Sequence, residues 1–295
     1  MYSEITSNKR RSVMLIIIFT LFIAALGYVF SLGMGDEGYG LVVLSLIISV
    51  IMTLVSYFQG DKIALWTNGA KPISEEENKY VYRIVNNLCI ADGMPVPKIY
   101  LIDDPAINAF ATGRDPNHAS IAVTTGAIQK LENEELEGVI AHELSHVKNY
   151  DIRFMTLVAV LVGAVSILAQ IFFRSGRFFG GKRNDKSGDA AGIFVIIGII
   201  LAIVSPIVAE LIKLAISRKR EFLADASGSL LSRYPEGLAR ALEKIQAENM
   251  PMQRASDATA HLFLANPFKA SGFKSLFATH PPIEERIKRL RQMGK

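Results

Sequence analysis

The segment NEELEGVIAHELSHVK, residues 133–148, holds the pattern that constrains this structure most strongly. Asn133 stands directly before two acidic residues, an arrangement typical of a helix N-terminus. Apolar side chains then recur at helical spacing, at Leu136, Val139, Ile140, Leu144 and Val147. The segment is therefore predicted to be a helix with one face against an apolar core.

The same segment contains an HExxH motif, His142-Glu143-Leu144-Ser145-His146. Positions i and i+4 lie on one helical face about one turn apart, so both imidazoles can reach a single ion. Glu143 would project beside that ion, toward a bound water. Two imidazoles and one carboxylate, with one position left open for water, suit one Zn²⁺ ion per chain. The alternative is a surface helix with two histidines that bind nothing.

A candidate for the third ligand is Glu221, in the segment Arg220-Glu221-Phe222-Leu223-Ala224-Asp225. Glu221 and Asp225 are four residues apart, so on a helix they share a face, and Asp225 can orient a ligand histidine. Asp151, five residues after His146, is a second candidate for such a supporting contact. The alternative for all three acids is an exposed position on a helix or near the membrane surface.

Four windows of the sequence contain no Asp, Glu, Lys or Arg, namely Ser12–Gly35, Gly38–Gly60, Phe154–Phe173 and Ala190–Ala209. A helix of about 20 apolar residues crosses roughly 30 Å of hydrocarbon, so each window is long enough to span a membrane. The first could instead be a secretory signal peptide, but it is too long and no small-residue cleavage site follows it. The last two windows have the alternative of buried helices in a soluble domain.

The distribution of basic residues predicts which side of the membrane each part occupies. The run Lys9-Arg10-Arg11 precedes the first window, whereas the next loop carries only Asp36 and Glu37, which places the N-terminus and residues 61–153 in the cytoplasm. A second hairpin returns the chain to that side, as a shared ion requires. The loop between the last two windows is a conflict, because it contains Arg174, Arg177, Lys182, Arg183 and Lys186. A hairpin that enters the membrane without crossing it is the alternative.

The chain is accordingly divided into a first membrane hairpin at 1–60, a catalytic part with the HExxH helix at 61–153, a second membrane hairpin at 154–212, and a catalytic part with the third ligand at 213–295. Residues 61–153 have an α+β pattern. A helix is expected at about Glu75–Asn87 after Ser74, with strands at Lys98–Ile102 and Ala119–Thr125.

The apolar run Asn108–Gly113 is a candidate third strand. An extended peptide can add to the edge of a sheet through main-chain hydrogen bonds, with little selection for side chains. We therefore predict that a peptide substrate pairs along Asn108 and Ala109.

Several of these segments together resemble the HtpX-type membrane zinc metalloproteases, relatives of the CAAX prenyl endopeptidases. The resemblance covers nearly the whole chain. Beyond the N-terminal hairpin it rests on Asn108–Gly113, Ala141–His146, Arg220–Asp225, HLFLANPF at His261–Phe268, and Thr279-His280-Pro281-Pro282 followed by Glu285-Arg286-Ile287.

The resemblance implies an α+β, membrane-anchored zincin-like metalloprotease with about four transmembrane helices. His142, His146 and Glu221 would be the zinc ligands, and Glu143 the catalytic base. The implied task is quality control in the cell (inner) membrane, where unfolded or misfolded membrane-protein segments are cut on the cytoplasmic side. His280 and Arg286 are candidates for stabilising the oxyanion, although a turn and a surface salt bridge would explain them equally well.

Other functions are compatible with parts of the pattern. A prenyl-protein endopeptidase shares the chemistry, but four spans cannot enclose a large chamber. An intramembrane protease is disfavoured because Glu132, Glu134, Glu135, Glu137 and Lys148 surround the motif and would be costly in hydrocarbon. A membrane scaffold or transporter subunit with structural zinc would have no use for Glu143, and the windows lack the ionisable residues of a transporter.

The composition excludes further classes of protein. The single cysteine, Cys89, rules out an internal disulfide framework. The net charge of +4 does not indicate nucleic-acid binding, because the basic clusters adjoin the membrane windows, where anionic lipid headgroups are the simpler partner. We expect a lipid bilayer and peptide substrates as partners, and the sequence does not specify an oligomeric state.

Overall fold

The structure is a computed structural model, which describes residues 2–33, 39–179, 217–268 and 281–294. Its helices are α1 (Tyr2–Gly33), α2 (Gly40–Thr67), α3 (Lys79–Asp92), α4 (Thr125–Lys130), α5 (Asn133–Lys148), α6 (Asp151–Phe179), α7 (Arg218–Ser232), α8 (Pro235–Glu248) and α9 (Ile283–Met293). Its strands are β1 (Lys71–Pro72), β2 (Lys98–Ile102), β3 (Ala109–Gly113) and β4 (Ala119–Thr124). Single turns of 3₁₀ helix lie at Pro116–His118 and Ala260–Leu262.

The four strands form one mixed sheet in the order β1-β2-β4-β3. β2 and β4 are parallel, with Ile99 opposite Ile121, and the β1–β2 and β4–β3 pairs are antiparallel. Helices α3 and α5 cover one face of the sheet, and the C-terminal end of α2 and residues from α6 cover the other. Because both faces are covered, every residue of β4 is buried, including Ser120 and Thr124. The mixed α and β composition expected from the sequence is confirmed.

The three expected strands are present as β2, β3 and β4, each within one residue of its expected bounds, and β3 lies at the edge of the sheet. The short strand β1 was not predicted. The predicted start of the helix expected after Ser74 is wrong: α3 begins at Lys79, not at Glu75. Its N-terminus is capped by Asn78, whose side chain accepts a hydrogen bond from the N–H of Val81 at 3.0 Å. The side chain of Glu77 accepts from the backbone N–H of Ser74 instead, so this acidic run forms a separate turn before the helix.

Residues 12–33 of the first charge-free window lie in α1 and residues 40–60 of the second lie in α2, and these helices pack against each other. Within the described part of the chain, the stretches Glu4–Tyr28 and Gly40–Thr67 are long and apolar enough to cross a membrane. Large apolar side chains on α2 remain exposed, among them Ile47, Ile51 and Leu54. Such a face is stable next to lipid and not next to water.

The third window lies in α6, which follows α5 after a bend of 85°. If this bent pair is one span, three candidate spans lie in the described ranges; the fourth window, at 190–209, lies outside them. The beginning of α6 packs between the two N-terminal helices, with Leu157 and Leu161 in one apolar cluster with Phe19. The structure therefore supports a membrane anchor of at least two helices, and the count of four stays a prediction.

Close approach of backbones brings α7 and α8 onto the HExxH helix α5. A Cβ atom at Gly228 of α7 would lie 2.8 Å from the backbone nitrogen of His142. A Cβ at Gly138 of α5 would likewise lie 2.6 Å from the nitrogen of Leu238 in α8. Only glycine permits these approaches, and the first places α7, which carries Glu221, directly against the two histidines.

Candidate metal centre and active site

The three predicted ligands converge although they come from two helices. The Nε2 atoms of His142 and His146 on α5 are 3.2 Å apart. The carboxylate of Glu221 on α7 lies 3.8 Å from the first of these atoms and 3.6 Å from the second. All three donor groups lie within 4.8 Å of one another and are buried, an arrangement that can hold one metal ion.

A carboxylate lies behind each histidine, in a hydrogen bond at His146 and at ion-pair distance at His142. Nδ1 of His142 lies 3.0 Å from Oδ1 of Asp225, and Nδ1 of His146 lies 3.1 Å from Oδ2 of Asp151. A carboxylate at Nδ1 holds the proton on that atom and leaves the lone pair of Nε2 free for an ion. The structure thus brings together all five residues predicted as ligands or their supports.

This donor set fits a cation such as zinc. Two Nε2 lone pairs that face each other repel unless a proton or a metal ion lies between them. Burial alone would lower the pKa of His146, but the hydrogen bond to Asp151 and the charges of Glu221, Asp151 and Glu143 raise it to about 9. The site therefore favours positive charge between the donors, and its two imidazoles and one carboxylate are the ligand types that zinc takes in hydrolytic enzymes.

Arg286 of α9 lies behind this cluster and is fully buried. Its Nε and Nη2 donate to the two oxygens of Asp225 at 2.9 and 2.7 Å, and its Nη1 donates to the carbonyl of Leu264 at 3.1 Å. Nη1 also lies 3.8 Å from Glu221. The guanidinium is thus engaged with Asp225, a partner that the sequence pattern did not indicate, and its role at an oxyanion stays a prediction.

Glu143 is buried beside the cluster and faces the edge strand β3. Burial raises the pKa of its carboxyl group, and the nearby Glu221 acts in the same direction. The two histidines and the N–H of Ala111, which donates to the carboxylate, partly oppose that shift. A carboxylate with a raised pKa is better matched to accepting a proton near neutral pH.

The strand edge predicted to bind substrate is partly paired within the chain. The carbonyl of Ala109 accepts from the N–H of Leu264 at 2.9 Å, and the side-chain nitrogen of Asn108 donates to the carbonyl of Ala265 at 3.0 Å. Further along the edge, the N–H of Gly113 donates to Thr156. A peptide would therefore have to replace some of these contacts to pair at Asn108 and Ala109.

The two other described histidines, His118 and His261, do not join the cluster. His280 lies outside the described residues. His118 is half exposed and pairs with Asp115 at 2.8 Å. His261 is buried, and its Nε2 donates to the carbonyl of Met155 at 3.0 Å. Burial lowers the pKa of His261 to about 4, as does the charge of Arg220, so this ring is neutral at pH 7.

Comparison with protein families separates an enzyme from the non-catalytic alternative. A family described as Peptidase family M48 matches residues 75–294, three quarters of the chain. The chain belongs to peptidase family M48. It is therefore a metalloprotease, and the resemblance found in the sequence is confirmed. The family assignment also removes the reading of the chain as a scaffold without an activity.

Full-length relatives agree with the family assignment. A "Protease HtpX homolog" of Caldanaerobacter subterraneus subsp. tengcongensis is 46% identical over 295 residues, which cover 99% of this chain and 98% of the relative. One from Tropheryma whipplei is 42% identical and covers 100% and 99%. Together with the two apolar helices, these relatives identify this M48 chain as an integral membrane protein.

A solved structure shares the fold. The crystal structure of S. mikatae Ste24p superimposes with a TM-score of 0.52 at 19% sequence identity, covering 98% of this chain and 67% of the other. At this identity the likeness concerns the fold only. It supports the M48 architecture described above, with the metalloprotease helices attached to membrane helices.

Proposed function

We propose that this chain is a zinc-dependent endopeptidase that cleaves unfolded or misfolded membrane-protein segments at the cytoplasmic face of the cell membrane. The observation that carries the proposal is the convergence of His142, His146 and Glu221 within 4.8 Å, with Glu143 buried beside them. The basic run at residues 9–11 and the acidic loop at 36–37 support the cytoplasmic orientation. The quality-control role is what the resemblance to HtpX-type proteases implies, and relatives of that name match over the full chain.

In this proposal His142, His146 and Glu221 hold one zinc ion. Bound zinc supplies a Lewis acid, which lowers the pKa of water to about 7 and polarises a carbonyl. Asp225 and Asp151 keep Nδ1 of each ligand histidine protonated, so that Nε2 faces the ion. Arg286 holds Asp225 in position through two hydrogen bonds.

Glu143 would accept the proton of the attacking water and pass it to the leaving amine. Its contact with the N–H of Ala111 puts this carboxylate next to the edge of β3, along which an extended peptide can lie. Recognition through the main chain selects for an unfolded segment more than for a particular sequence. This preference matches a substrate whose fold has been lost.

The test is proteolysis of a denatured membrane protein by the detergent-purified chain, with chelator, and with zinc added back. We expect cleavage that stops with chelator and returns with zinc. In Glu143→Gln we expect zinc to remain bound while cleavage falls by about 10²-fold or more. Glu243→Gln, which alters an exposed ion pair with Arg291, is the matched control and should cleave like the wild type.

Two results would contradict the proposal. Equal cleavage in every condition, including Glu143→Gln, would show that a contaminating protease is responsible. Cleavage of a prenylated C-terminal peptide in preference to the denatured protein would favour a prenyl-protein endopeptidase instead.

A further inference from the structure

The N-terminal membrane helix reaches the metal centre through one side chain. Asn8 of α1 is fully buried, which is unusual for an amide at the end of an apolar helix. Its Nδ2 donates to Oδ1 of Asp151 at 2.6 Å, and Oδ2 of the same carboxylate contacts Nδ1 of His146. We propose that Asn8 is a positioning residue, which orients Asp151 and through it the ligand His146.

The hydrogen bond from Asn8 restricts the rotation of the Asp151 carboxylate. A carboxylate at the start of a helix can rotate about its side-chain bonds, and only some rotations direct an oxygen to His146. Asn8 holds one oxygen from the side of α1, and the buried Arg220 lies 4.0 Å from that same oxygen. With one oxygen fixed in this way, the other is directed at the imidazole.

Asn8 also secures the bend between α5 and α6. Its Nδ2 donates a second hydrogen bond to the carbonyl of Asn149 at 3.0 Å, a group that the end of α5 leaves without a helical partner. The next residue in this bend, Tyr150, has φ 60°, a left-handed conformation that costs energy for a residue other than glycine. Lys9 lies over the Tyr150 ring, 4.4 Å from its centroid. Two neighbouring residues of α1 therefore hold the strained turn that follows the ligand His146.

The inference rests on the proposed zinc site, and it adds that a helix of the membrane anchor is part of the support of that site. No motif at residues 2–12 marks this contact, because Asn8 and Asp151 are 143 positions apart. The partners are defined by hydrogen bonds between buried groups, where removal of one partner is costly. The effect should therefore be measurable on the metal itself.

The experiment compares Asn8→Leu and Asn8→Ala with the wild type in detergent, using the rate of zinc release to an excess of chelator. We expect release about tenfold faster in both variants, the lower end of the roughly 10- to 100-fold loss of metal affinity that follows removal of a group bonded directly to a metal ligand. After exchange to Co²⁺, the visible bands of the variants should shift, because they report ligand geometry. Ser12→Ala is the control, since its hydroxyl donates to a backbone carbonyl within α1, that of Asn8. The alanine variant adds no bulk and remains informative if the leucine variant does not fold.

A double-mutant cycle tests the route through Asp151. If Asn8 acts on His146 through this carboxylate, Asn8→Ala should have little further effect on zinc release in an Asp151→Asn background. Additive effects would overturn the proposed route. Zinc release and cobalt bands like those of the wild type in Asn8→Ala would overturn the inference and leave the zinc site intact. A wild-type chain that retains no zinc would instead overturn the proposed function together with the inference.

Discussion

At the scale of single residues, the site is built from pairs in which one partner faces the metal position and the other fixes its orientation. His142 is supported by Asp225, and Asp225 in turn by Arg286. All three are buried, so each charge depends on its neighbour for compensation. Removal of Arg286 should therefore lower the stability of the fold and disturb the orientation of His142.

Replacement of Arg286 by Met should destabilise the metal-free protein by about 3–5 kcal/mol at pH 7.5, because Asp225 is left buried without its partner. Burial opposes ionisation of Asp225, but Arg286 and His142 lower the pKa of its carboxyl group below the ordinary value. The wild-type ion pair therefore stabilises the fold at pH values above the pKa of an unfolded Asp, about 3.9, and this stabilisation is lost in acid. In the variant Asp225 should take up a proton at a higher pH.

The difference in unfolding temperature between wild type and Arg286→Met should consequently be smaller at pH 5 than at pH 7.5. Arg286→Lys keeps a positive charge without the bidentate geometry, so its unfolding temperature should lie between those of the wild type and Arg286→Met. Full stability combined with loss of catalysis would instead favour a direct role for Arg286 at the oxyanion.

The lone thiol offers a separate test of the core at this scale. Cys89 is 1% exposed, and burial together with the nearby Asp92 raises its pKa to about 11. Because only the thiolate reacts rapidly, Cys89 should resist a maleimide at pH 8 in the native protein and react once the protein is unfolded. Rapid labelling of the folded chain would show that the packing of α3 against the sheet is wrong.

At the scale of elements, the HExxH helix could be predicted because its ligands lie within one turn and its apolar residues follow one period. Strands β2, β3 and β4 were also predictable, since short apolar runs bounded by turn residues are typical of strands. Strand β1 was not, because Lys71 and Pro72 are exposed and have no apolar pattern. The start of α3 was not, because two capping patterns compete there and Asn78 prevails over Ser74. The contact between Arg286 and Asp225 has no local signal, since 61 residues separate the two positions.

The approach of α7 to α5 explains how Glu221 reaches the histidines, and Gly228 tests it. A methyl group at this position would lie 2.8 Å from the nitrogen of His142, so Gly228→Ala must push the two helices apart. We expect a loss of about 1–3 kcal/mol in stability and weaker zinc binding, measured by thermal unfolding and chelator competition. Gly294→Ala, where no atom lies within 4 Å of the added carbon, should leave both unchanged. Wild-type zinc affinity in Gly228→Ala would contradict the assignment of this contact.

At the scale of the whole molecule, the membrane helices have two roles in this account. They anchor the protease at the bilayer, and α1 also contacts the turn that follows the HExxH helix. The sequence predicted the first role from windows without charge. It could not predict the second, which depends on how α1, α2 and α6 pack together.

Orientation in the membrane can be tested with single cysteines in a Cys89→Ser background. A membrane-impermeant maleimide added to intact spheroplasts should label Tyr39→Cys, which lies beyond the first span and is exposed. It should label Lys71→Cys, after the second span, only when the membrane is permeabilised. The reverse pattern would place the metal centre outside the cytoplasm and contradict the proposed orientation.

The central claim is that Glu221, distant in sequence from the HExxH motif, completes one zinc site with His142 and His146. The most direct measurement is the zinc content of the purified protein, determined by mass spectrometry of the metal, for wild type, Glu221→Gln and Glu243→Gln. We predict one zinc per chain in the wild type and in Glu243→Gln, and a small fraction of one in Glu221→Gln. Stoichiometric zinc in Glu221→Gln would remove Glu221 from the ligand set and contradict the account.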